Sequence, residues 1–184
     1  MREIRWILLR RLEETWSLHK DRVPWAITLL RVFALPLLVY SFNQEIKAAM
    51  YALFLFVVST DVLDGYLAKK LDTTSRLGSY FDVSADFLFV SGMFLVFILE
   101  GLYPLWILLL MVFVFAQFMI TSVYSKRTVY DPVGKYYGSL MYGGVGLTLF
   151  SQEQLMLDIV TVGVVVSTAA VLLSRAAFVF ARKR

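Results

Sequence analysis

The sequence predicts an all-α integral membrane protein, with six transmembrane helices preceded by an amphipathic helix on the membrane surface. Three observations carry that prediction. Hydrophobic residues make up 59% of the 184 and only 17% are charged, too little polar surface to coat a globule in water. The apolar residues fall into six stretches, each close to the roughly 20 residues that a helix needs to cross about 30 Å of hydrocarbon. Basic residues gather in alternate connections between those stretches.

From the beginning of the chain, Arg2, Arg5, Arg10, Arg11, Lys20 and Arg22 alternate with Glu3, Glu13, Glu14 and Asp21. No uninterrupted apolar core and no small-residue cleavage site are present, so a signal peptide is not expected. Ile4, Ile7, Leu8, Leu12 and Trp16 recur at helical spacing, which places residues 1–22 on the membrane surface as an amphipathic helix. His19, the single histidine, belongs to that charged segment and is read as solvated.

Residues 23–184 form the predicted transmembrane catalytic domain. Its spans are expected at 24–42, 46–69, 77–99, 102–124, 133–151 and 155–181, joined by short connections that make sequence neighbours antiparallel. One side of the membrane then receives the N-terminal segment, Lys69, Lys70 and Arg76, then Lys126, Arg127 and Lys135, and the tail Arg182, Lys183 and Arg184. The other side has only Lys47 close by. That asymmetry puts both termini and both basic loops in the cytoplasm of a multi-pass cell-membrane protein. The net charge of +4 is accounted for by this sidedness and gives no reason to expect nucleic acid. With no cysteine, disulfides, thiolate nucleophiles and zinc-thiolate sites are excluded. In the fifth span, Gly134 and Gly138 form a small-xxx-small pair expected to pack inside the bundle, with a dimer seam as the alternative. Trp6, Trp16, Trp25, Tyr103 and Trp106 lie at predicted boundaries, where aromatic rings anchor helices at the interface. Arg31 either snorkels to the headgroups or pairs with an inner carboxylate, and Arg175 calls for no functional reading.

Within the second and third spans stand Asp61, Asp64, Asp82 and Asp86. Carboxylates at membrane depth cost several kcal/mol unless they are paired, hydrated or metal-bound. Asp61, Asp64 and Ala68 share one helix face, and so do Gly78, Asp82 and Asp86. The polar turn with Asp72, Thr73, Thr74 and Ser75 brings the two faces together near the cytoplasmic surface. Four carboxylates at close quarters need cations to neutralise them, and an oxygen-only ligand set points to hard ions such as Mg²⁺ or Mn²⁺. Gly65, Ala68 and Gly78 leave room for a ligand to approach, Lys69 offers a positive charge to a diphosphate, and Ser75 or Thr74 a hydrogen bond.

The string Asp61-x2-Asp64-Gly65-x2-Ala68-Lys69-x8-Gly78-x3-Asp82-x3-Asp86 resembles the signature of the CDP-alcohol phosphatidyltransferases. Seven of its eight fixed positions match with every gap intact, and Lys69 stands where the family has Arg. Pro24-Trp25-Ala-Ile-Thr28-Leu-Leu-Arg31 is similar to the first-span pattern of the family, with Trp25 in place of Asn. The resemblance implies two metal ions held by Asp61, Asp64 and Asp82, with Asp86 touching the second and acting as general base. It implies a CDP-linked donor lying against Thr28, Asp61, Gly65, Ala68, Lys69, Ser75 and Gly78, attack of an acceptor hydroxyl on the β-phosphorus, and departure of CMP. A homodimer is a further implication of the family. Lys69 acts on a diphosphate as a point charge rather than as a bidentate fork, so weaker donor binding is expected.

The acceptor is less sharply written. Lys126, Arg127 and Lys135 flank the ends of spans four and five, and are similar to the basic elements of relatives whose acceptor carries a phosphate, such as glycerol 3-phosphate or inositol phosphate. A cation-rich pocket attracts an anionic acceptor; positive-inside anchoring explains the same residues. Phe115-Ala116-Gln117-Phe118 departs from the Arg-Glu pair of glycerol phosphate users, leaving serine, or a CDP-choline-type donor with a lipid acceptor, open. The donor is expected to be CDP-diacylglycerol or CDP-archaeol. A cation transporter is the rival from another class, since buried carboxylates also line ion paths. Against it, the aspartates cluster toward one face, and the small residues and Lys69 have no role in a cation path. The complete aspartate set also argues against an inactive relative.

Overall fold

A computed structural model describes the backbone of residues 22–71, 76–124 and 134–181, and the side chains of 29–60, 80–81, 83–122 and 136–176. The predicted N-terminal surface helix lies outside them. The described residues form six α-helices and no strand: α1 (Arg22–Asn43), α2 (Lys47–Leu71), α3 (Arg76–Leu99), α4 (Leu105–Tyr124), α5 (Gly134–Phe150) and α6 (Gln154–Ala181). Each coincides with a predicted span to within three residues.

Apolar runs fold as helices because a helix satisfies its own backbone, the only solution open to a chain with little water around it. Hydroxyls inside these helices are absorbed in the same way. Ser41, Ser84, Thr121 and Thr148 each donate to the carbonyl four residues earlier, Leu37, Tyr80, Gln117 and Gly144. Among the described residues, two helices, through Leu105–Ser122 and Gln154–Ala176, are long and apolar enough to cross a membrane by themselves. Leu29–Asn43, Lys47–Thr60 and Val83–Leu99 are shorter apolar segments. Large side chains cover the outer surface, with Phe33 68%, Ile120 70% and Leu173 72% exposed. Such an exterior is apolar on its inner and outer faces alike, the pattern of helices outside water.

The helices close into a ring. α1 packs against α2 and α3, α3 against α4, α4 against α6, α6 against α5, and α5 against α2, while α3 also reaches across to α5. Phe89, Met93, Phe94 and Phe97 of α3 fill the centre, each at most 1% exposed. Phe94 and Phe97 pack edge-on against one another, and Phe42 of α1 packs edge-on against Phe97.

Glycines set two close approaches. A Cβ at Gly144 would stand 3.3 Å from Val160 and 3.5 Å from Phe94, and one at Gly146 would stand 2.9 Å from the ring of Phe54. These positions hold α5 against α6, α3 and α2. Gly138 does not behave as expected: it is exposed, and a Cβ there meets nothing within 4 Å. Tyr103 is a second correction. It is 4% exposed and shares a hydrogen bond with Thr148 at 2.8 Å, so it closes the core where interfacial anchoring was expected.

The turns after α1 and α3 share one design. The amide of Ile46 donates to Ser41 and that of Glu45 to Phe42; likewise Leu102 donates to Phe97 and Gly101 to Ile98. Each pattern satisfies two terminal carbonyls and requires a left-handed residue, here Glu45 (φ 55°) and Gly101 (φ 78°). Gly101→Ala should lower stability by about 1 kcal/mol, because its Cβ would add backbone strain and no contact. Glu45→Gly should shift the thermal midpoint of the purified protein the opposite way; matching shifts would sink this reading of the turns.

Candidate active site

Buried stripes on three helices lead to one level of the bundle. On α3, Asp86, Val90, Met93 and Phe97 share a face, and the last three are at most 3% exposed. Asp86 is thus the polar end of a face that packing turns inward. Arg31 continues the buried face of Ala34 and Leu38 on α1, and Tyr142 that of Val145 and Leu149 on α5. On α2 the buried positions are Met50 and Val57, and the same helical register passes through positions 61, 64 and 68.

At the meeting point, Arg31 Nη1 donates to Asp86 Oδ1 at 2.5 Å, and the Tyr142 hydroxyl donates to the same oxygen at 2.9 Å. The Arg31 side chain is fully buried and that of Asp86 is 24% exposed. Of the two alternatives for Arg31, pairing with a carboxylate is the one realised. Charge assistance strengthens the bond, and the surrounding Phe, Met and Val side chains limit screening by water.

The other expected site residues are placed by their helices alone. Asp61, Asp64, Gly65, Ala68 and Lys69 lie in α2, Gly78 and Asp82 in α3, Thr28 in α1 and Lys135 in the first turn of α5. Their side chains are outside the described residues, and Ser75, Lys126 and Arg127 are wholly outside them. α1 packs against both aspartate-bearing helices and so links them. Among the described side chains, no three acids or histidines gather at one point.

The family model for CDP-alcohol phosphatidyltransferase matches residues 22–181, which is the whole helical bundle. The chain belongs to the CDP-alcohol phosphatidyltransferase family. It is 36% identical over 91 residues to a CDP-diacylglycerol–glycerol-3-phosphate 3-phosphatidyltransferase of Haemophilus influenzae, covering 48% of this chain and 49% of that one. To the protein of the same name from Pseudomonas fluorescens it is 38% identical over 73 residues, 38% of this chain and 37% of the other. The chain therefore spans half or less of the length of these two relatives. A protein of that name from Aquifex aeolicus is matched more broadly, 31% identical over 132 residues, 70% of this chain and 74% of the relative.

Two residues that the sequence left without a role stand at or near this part of the bundle. Tyr142 contacts Asp86 directly; its one legible sign is a polar tip at helical spacing with buried Val145 and Leu149. Arg175 of α6 is 3% exposed, with its guanidinium carbon 5.6 Å from the centre of the Phe118 ring on α4, beside fully buried Ser122. A cation buried this far along an apolar helix contrasts with Glu153 and Asp158 at the other end, which are exposed.

Proposed function

We propose that this chain is a multi-pass membrane enzyme of phospholipid synthesis, transferring the phosphatidyl group of a CDP-linked lipid to glycerol 3-phosphate with release of CMP. The observation that carries the reading is Asp86 of the signature, held by Arg31 and Tyr142 at the centre of a bundle matched from end to end by the family model. The printed names of the relatives favour glycerol 3-phosphate as acceptor and CDP-diacylglycerol as donor.

The ring of six helices and its apolar exterior support a reading of six spans. Sidedness of the basic residues places both termini and the reaction site in the cytoplasm. A second copy of the chain as partner is the expectation carried by the family.

The donor set suits hard divalent cations. Asp86 is partly open and already oriented, Asp82 stands one turn earlier on the same helix, and every candidate ligand is an oxygen. Asp61, Asp64, Asp82 and Asp86 would hold two such ions, Mg²⁺ or Mn²⁺. When bound, they supply neutralisation of the diphosphate charge that builds during displacement. Gly65, Ala68 and Gly78 leave space for CDP, with Thr28, Lys69 and Ser75 as polar contacts. Asp86 takes the proton of the acceptor hydroxyl as its oxygen attacks the β-phosphorus. Lys126, Arg127 and Lys135 favour an acceptor that carries a phosphate.

One feature supports a different acceptor within the same family. Where glycerol phosphate users carry an Arg-Glu pair, this neighbourhood of α4 reads Phe115-Ala116-Gln117-Phe118, and the buried Gln117 Oε1 has no hydrogen-bond partner among the described residues. CMP release by the purified protein with CDP-diacylglycerol and Mg²⁺ decides the matter, scanning glycerol 3-phosphate, inositol phosphate, inositol and serine. Release with glycerol 3-phosphate alone is the expected result, lost on chelation of the metal. Release with another acceptor corrects the substrate and keeps the reaction. No release with any acceptor, nor with CDP-archaeol or with CDP-choline and diacylglycerol, overturns it.

A further inference from the structure

We propose that Tyr142 is a positioning residue for the reaction, fixing with Arg31 the orientation of the Asp86 carboxylate. The inference rests on Asp86 being the reactive carboxylate of the proposed function. A carboxylate turns easily about its last torsion, which is broad and twofold. Two donors on a single oxygen remove that freedom, and here both fall on Oδ1, from Arg31 at 2.5 Å and from Tyr142 at 2.9 Å. They come from α1 and α5, so the direction of Oδ2 is set by the packing of helices that carry none of the four aspartates.

The tyrosine is itself held. Its ring stacks on Phe89 with centroids 5.5 Å apart and planes 18° from parallel, and Phe89, three residues after Asp86 on α3, is 1% exposed. Phenylalanine would pack as well at position 142. The hydroxyl adds only a desolvation cost unless it is bonded, and its bond goes to Asp86. A phenol also donates to the carboxylate without bringing a second cation, so the charge of Asp86 remains available to a metal ion and to a proton.

Tyr142→Phe tests this, with Tyr103→Phe as control. The control removes a hydroxyl of the same kind, bonded to Thr148 at 2.8 Å at the opposite end of the bundle. In detergent, Tyr142→Phe should lower kcat about tenfold and weaken Mn²⁺ binding, read by electron paramagnetic resonance without substrates, about tenfold as well. Both KM values should stay within about twofold, because neither substrate loses a contact. Tyr103→Phe should keep wild-type kcat and Mn²⁺ binding. If the two variants behave alike in kcat and Mn²⁺ binding, Tyr142 is structural and the proposal falls. A wild-type protein that binds Mn²⁺ but releases no CMP overturns the proposed reaction, and the Mn²⁺ comparison then decides Tyr142 by itself. A wild-type protein that does neither overturns both.

Discussion

Asp86→Asn should cut CMP release by about three orders of magnitude while the donor KM changes little. The substitution is nearly isosteric. An amide oxygen can still accept from Arg31 and Tyr142, so the hydrogen bonds joining α1, α3 and α5 can be kept, while losing the negative charge opposite fully buried Arg31 lowers stability. What disappears is the negative charge and the ability to take a proton from the acceptor hydroxyl. CDP recognition is assigned to Thr28, Asp61, Gly65, Ala68, Lys69, Ser75 and Gly78, at other positions on α1, α2 and α3 and in the connection between the last two. Steady-state CMP release against donor concentration reads the two effects apart. A variant that turns over at wild-type speed would remove Asp86 from the role of base.

The second large effect is on stability. Arg31→Met should cost about 3 kcal/mol or more, because it withdraws the cation from a carboxylate that is three-quarters shielded from solvent. For a chain of this length each kcal/mol moves the thermal midpoint by roughly 2–4 °C, so a fall on the order of 10 °C is expected. Arg31→Lys keeps the charge but loses the planar fork and some reach, and should melt between the two. Thermal unfolding of the three proteins in one detergent gives the order. An Arg31→Met protein that melts with the wild type would show that the pair contributes nothing net to the fold.

The helices were legible because their lengths and periodicities are local. An apolar run of helical length identifies itself, and the connections after α1, α3 and α5 announce their polarity. The aspartate pattern was legible for the same reason: Asp61 with Asp64, and Asp82 with Asp86, are neighbours on single helices. Relations between helices were not. Nothing within the sequence pairs Arg31 with a carboxylate 55 positions later, or Tyr142 with one 56 positions earlier. Tyr103 was misread because a tyrosine at a predicted boundary has the same pattern whether it anchors at an interface or closes a core. Gly138 was misread because spacing gives a glycine its face only once the neighbouring helices are in place. Glu45 in a left-handed turn gave no sign, since its conformation is imposed by the hydrogen bonds of the chain around it.

The short turns at 44–46, 100–104 and 151–153 make the chain three helical hairpins in succession, α1 with α2, α3 with α4, and α5 with α6. Asp86 belongs to the second and is gripped by one residue from the first and one from the third. A single oxygen atom is therefore where all three folding units register against one another. Under the proposed function, demands of catalysis and of assembly fall on the same side chain, and changes at Arg31 or Tyr142 alter both how tightly the hairpins are drawn together and how the carboxylate is held.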